Sequence, residues 1–133
     1  MKTIHNAADI RSFVIQTLGC RCPESVFELI EYAENSTLPG IDAPLRRLLI
    51  GNRLLIYILQ SDDLAALRNV LPRLVEEARA ERDRSGYNRL RIVVATDQIE
   101  STRRAAEHLF PRFPDIDDRA HLHVLGPTSV PIL

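Results

Sequence analysis

The sequence predicts an α/β fold: an N-terminal helical pair, then a four-stranded mixed sheet (a β-hairpin followed by β-α-β-α-β) with helices on both faces. Three observations carry that prediction. From Arg53 onward, apolar runs alternate with amphipathic stretches, and strand–helix–strand–helix–strand order implies parallel pairing through right-handed crossovers. The dipeptide Gly51-Asn52 lies between two apolar runs, where a two-residue hairpin turn with positive φ fits. The first third of the chain instead shows helical spacing of its apolar residues.

The first helix is expected over about Ala7 to Leu18, capped by Asn6 and with Asp9 in its first turn. Ile10, Phe13, Val14, Thr17 and Leu18 form one amphipathic stripe. Gly19 suits the left-handed residue that follows a helix. A second helix is expected from Pro23 to about Glu34, with Val26, Phe27, Ile30 and Ala33 inward and Glu24, Glu28 and Glu31 on a solvated face. The segment from Asn35 to Pro44 reads as a loop. Leu45 to Ile50, carrying Arg46 and Arg47, suits an edge strand. Arg53 to Leu59 is apolar on both faces and suits a central strand.

A third helix should start at Ser61-Asp62-Asp63, be kinked or divided at Pro72, and end at Gly86. Leu90 to Ala95 is a further strand. Asp97 and Glu100 have capping-box spacing for a fourth helix, which runs to about Phe110 before Pro111. Arg112 to Arg119 reads as a loop, and His121 to Leu125 as the last strand.

At 133 residues the chain is expected to form a single α/β domain, residues 1–133. Its net charge of −1 gives no global drive toward nucleic acid, and aromatic residues are only 5%, too few for base-stacking platforms. No apolar run reaches about 18 residues, so no membrane span is expected. The first residues lack the apolar core of an export signal, which points to the cytoplasm, where cysteines normally stay reduced. With no GxGxxG, P-loop or GxSxG motif and five glycines, no cofactor is expected. The apolar face of the first helix and the apolar tail leave surface for an unknown protein partner or for a homodimer, without fixing the size of an assembly.

The chemistry concentrates at Leu18-Gly19-Cys20-Arg21-Cys22-Pro23, which holds both cysteines. With Pro23 as the first helical residue, Cys22 becomes the N-cap, where a helix N-terminus favours thiolate over thiol; Arg21 adds charge, while Glu24 and Glu28 oppose it. Three uses compete. As a reversible dithiol/disulfide, Cys22 would attack and Cys20 resolve, and the small ring of a Cys-x-Cys disulfide should be easily reduced. As half of a metal site, Cys20 and Cys22 would be completed by His121 and His123, which alternate on one face of the last strand. As packing, two small apolar side chains would fill a corner between helices, in a non-enzymatic interaction module.

Other groups read more plainly. Ser61, Asp62, Thr96 and Asp97 stand at the carboxyl ends of parallel strands, where open α/β sheets bind ligands, and equally suit helix caps. Arg46, Arg47 and Arg53, and separately Arg103 and Arg104, read as solubilising charge.

The cysteine pair followed by proline at an expected helix start, Cys20-Arg21-Cys22-Pro23, resembles the corner of thioredoxin-like redox proteins. It departs from that motif in having one residue between the cysteines instead of two, and a helix before it instead of a strand. The resemblance covers that corner alone and assigns no roles.

Overall fold

The computed structural model describes residues 7–130. Six strands form one mixed sheet in the order β1-β2-β3-β4-β6-β5: β1 (Ile30–Ser36), β2 (Leu45–Ile50), β3 (Leu54–Gln60), β4 (Arg89–Ala95), β5 (Asp115–Asp117) and β6 (Ala120–Leu125). β3, β4 and β6 run parallel, and β1, β2 and β5 pair antiparallel to their neighbours. The parallel strands are linked by α2 (Leu64–Ser85) and α3 (Ile99–Leu109). The helix α1 (Ala7–Ser12) continues as one wider turn, Phe13–Thr17. The expected cap Asn6 lies outside the described residues.

The two faces of the sheet bury separate cores. Leu55, Tyr57 and Leu59 of β3 point to α2 and α3, where they join Leu67, Leu71, Leu74 and Ala106. Leu54, Ile56 and Ile58 point the other way and meet Ile10, Phe13, Val14 and Leu18 of the N-terminal helix. Burial of β3 on both faces follows from its unbroken apolar run, because successive side chains of a strand alternate between faces. Two crossovers of the same hand, advancing the same way along the sheet, place α2 and α3 on one face. No helix among the described residues is long and apolar enough to cross a membrane.

The α/β class holds, but the helical pair and the four-stranded sheet are corrected. Pro23 is extended (φ −62°, ψ 148°), and only a short 3₁₀ turn, Glu24–Glu28, follows it. The chain then pairs with β2 as an edge strand. Ile30 and Tyr32 face the core while Glu31 and Ala33 are exposed, a period of two that the same apolar residues had disguised as a helical stripe. Residues 115–117, expected in a loop, close the opposite edge as β5.

The added β1 makes β2 internal, so Arg47 does not face edge solvent. It donates to Glu81 on α2 (2.7 Å), and the Tyr57 hydroxyl donates to the same carboxylate. Pro72 lies inside α2 without dividing it. Leu71 on one side of it and Leu74 on the other are both fully buried against the sheet, which holds the helix across the missing hydrogen bond. Gly86 ends α2 in the left-handed conformation at φ 75°. The β2–β3 turn has positive φ at both Gly51 and Asn52, as the dipeptide requires, and Arg53 N–H donates to the Ile50 carbonyl across it.

Candidate functional site

The corner after the N-terminal helix has the expected start and an unexpected end. Leu18 N–H donates to the Phe13 carbonyl, Gly19 is left-handed at φ 76°, and Cys20 N–H donates to the Val14 carbonyl. These bonds turn the chain so that Cys20 and Cys22 pack, half-buried, at the margin of the core beneath the helix. Their Cα atoms are 5.3 Å apart and their sulfurs lie at bonding distance. Cys22, however, caps no helix. The cap of the following 3₁₀ turn is Pro23, which makes no side-chain cap bond, so the helix-dipole argument for a stabilised thiolate does not apply.

Arginine supplies the positive charge instead. Cys20, Arg21 and Cys22 line a pocket of about 270 Å³ together with Arg53, Arg89 and Arg91. Val26, Ile50 and Leu54 supply its apolar wall, and Asn88 an amide. Arg53 and Arg89 stand at the amino-terminal ends of β3 and β4, opposite the carboxyl ends where such sheets usually bind ligands. Among the described residues, none of the four arginines has a carboxylate within 4.0 Å. Elsewhere in the molecule Arg47, Arg79, Arg82 and Arg119 are ion-paired.

Arg91 is the most constrained of the four. One of its amino groups (Nη1) donates to the Leu18 carbonyl at 2.6 Å and lies 2.9 Å from His123 Nε2. Its Nε is buried without a hydrogen-bond partner among the described residues. Burial, and then the charge of Arg89, lower its pKa from the ordinary arginine value. A guanidinium in this setting gains from any anion that reaches it. His123 accepts from Arg91 only as neutral imidazole. Burial first, and then Arg91 and His121, push its pKa down to about 4.

His121 and His123 do share the sheet face beneath the N-terminal helix, as their spacing implies, but each is engaged elsewhere. His121 Nδ1 lies 2.8 Å from Asp115 Oδ1, and His123 meets Arg91. Neither histidine lines the cysteine pocket. Among the described residues, no group of three or more His, Cys, Asp or Glu side chains could hold a metal ion. The structure therefore does not bring Cys20, Cys22, His121 and His123 together as one donor set.

The carboxyl ends of the parallel strands are tied to one another. Asp62 Oδ1 accepts from Asp97 N–H at 2.7 Å and from the Thr96 hydroxyl, and Thr96 Oγ1 accepts from Gln98 N–H. Asp63, not Ser61 or Asp62, caps α2 through Ala66 N–H, and α3 starts from Gln98 without the expected capping box. Arg53, read from sequence as hairpin charge, and Arg89 and Arg91 were not legible as a site, because only the sheet register places them beside the cysteines. No family model, no curated protein and no solved structure matches the chain.

Proposed function

We propose that the protein acts through a reversible dithiol/disulfide couple, with Cys22 as the attacking thiolate, Cys20 as the resolving thiol and Arg21 as adjacent charge. The observation that supports this reading is the shared pocket: Cys20 and Cys22 line it together with Arg21, Arg53, Arg89 and Arg91, none of which has a carboxylate partner among the described residues. Positive charge favours the thiolate, which is the reactive form of cysteine. Exchange then needs only an external thiol. A thiolate RS⁻ attacks one sulfur of the pair, an RS–S bond forms as the Cys20–Cys22 bond breaks, and the leaving sulfur keeps the electron pair. A second RS⁻ releases RS–SR, and the dithiol takes up protons from solvent.

The test is alkylation of the reduced protein against pH, with Cys20 and Cys22 resolved by mass spectrometry. The expected midpoint for Cys22 lies below the ordinary value of about 8.5. A midpoint at or above it removes the nucleophile. A second reading, a non-enzymatic interaction module in which the cysteines only fill the corner, draws support from their packing against the core beneath the N-terminal helix. A Cys20→Ala/Cys22→Ala protein with unaltered stability and unaltered association would favour that module.

A further inference from the structure

We propose that the pocket beside the cysteines is an oxyanion site, and that the exchange partner is a small thiol, or its disulfide, carrying carboxylates or comparable oxyanions. This inference rests on the dithiol/disulfide reading and names its substrate class. Arg21, Arg53, Arg89 and Arg91 come from three separate parts of the chain, yet they converge on one cavity in a protein whose net charge is only −1. Like charges brought together with no carboxylate partner among the described residues repel, and an anion relieves that repulsion.

The pocket, at about 270 Å³, suits a small molecule. Guanidinium groups match the planar fork of a carboxylate. Arg91 is held ready by the Leu18 carbonyl and His123, so little ordering is needed when a ligand arrives. Val26, Ile50 and Leu54 offer an apolar wall for the short carbon chain between sulfur and oxyanion. The other polar clusters lack such a vacancy of charge: Asp62 is satisfied by the turn at Thr96 and Asp97, and Arg82 by Asp83 and Asp117.

The experiment compares reduction of the Cys20–Cys22 disulfide by 2-mercaptoethanesulfonate, 2-mercaptoethanol and cysteamine, with rates expressed per thiolate. The anionic thiol is expected to react about tenfold faster than the neutral one, and the cationic thiol more slowly still, with the spread shrinking in about 1 M salt. Arg53→Met/Arg89→Met alters two exposed side chains and should abolish the preference while leaving the fold intact. A parallel NMR titration with succinate, which carries the charge without sulfur, should shift the Arg53 and Arg89 signals. Equal rates for all three thiols and no succinate binding overturn the oxyanion site and leave the couple standing. Succinate binding that depends on both arginines, with a disulfide inert to every thiol, overturns the couple and retains the anion site.

Discussion

Replacing His123 with glutamine should flatten the acid limb of the stability curve. The His123 imidazole accepts from Arg91 across 2.9 Å, and its pKa is pushed from 6.5 to about 4 by burial first, then by Arg91 and His121. In the unfolded chain it protonates near its ordinary value. Between about pH 6.5 and 4 the unfolded state therefore binds a proton that the folded state refuses, and stability is lost as pH falls through that window. Above about pH 7 the group has no effect. Linkage between 6.5 and about 4 amounts to about 2.5 kcal/mol by pH 4.5, at about 1.4 kcal/mol for each pH unit. Glutamine offers Arg91 a carbonyl acceptor of similar reach and does not titrate. Urea unfolding at pH 7.5 and pH 4.5 should show wild type losing about 2.5 kcal/mol more than His123→Gln. Comparing the two proteins cancels the carboxylates that titrate in the same window, including Asp117, whose pKa is lowered in the folded state. Equal losses in both would refute a neutral, Arg91-bound His123.

Two further changes probe how the fold supports the site. Glu81→Gln weakens the acceptor shared by Arg47 and Tyr57, and should cost about 1–3 kcal/mol in chemical denaturation; because Glu81 also helps burial hold the Tyr57 pKa above its ordinary value, ultraviolet titration of the phenol should move to lower pH. Gly51→Ala should destabilise more than Gly86→Ala: both glycines have positive φ, costing about 1 kcal/mol, but a Cβ at Gly51 would also stand 2.8 Å from the Val26 side chain and carbonyl, whereas at Gly86 it meets nothing within 4 Å. Thermal melts of the two variants measure that difference directly.

Much of the scaffold was legible because local chemistry and tertiary role agreed. The unbroken apolar run of β3 announced a strand buried on both faces, and Gly86 marked the end of α2. Agreement failed where one pattern served two periods. Val26, Phe27, Ile30 and Ala33 satisfy helical spacing, but the edge of β2 offers hydrogen bonds to an extended chain, and Ile30 with Tyr32 then covers the core as a strand does. That pairing also drew Arg47 away from an edge and into contact with Glu81. At the corner, the left-handed Gly19 and the charge of Arg21 between the two cysteines were readable from neighbouring residues. The charge of Arg53, Arg89 and Arg91 in the same pocket was not.

By itself the sequence determined the α/β class, the central strand, the left-handed stop at Gly19 and the placing of both cysteines in one turn. All of these depend on residues close together along the chain, through backbone freedom, periodicity and hydrogen bonding over a few positions. Tertiary structure alone decided that Arg53, Arg89 and Arg91 should line one pocket with those cysteines at the amino-terminal end of the sheet. Parallel register brings Arg89 beside Leu54 at the start of β3, and α1 lays its terminal loop over both, so the local field at the sulfurs is a sum over segments that only folding makes neighbours.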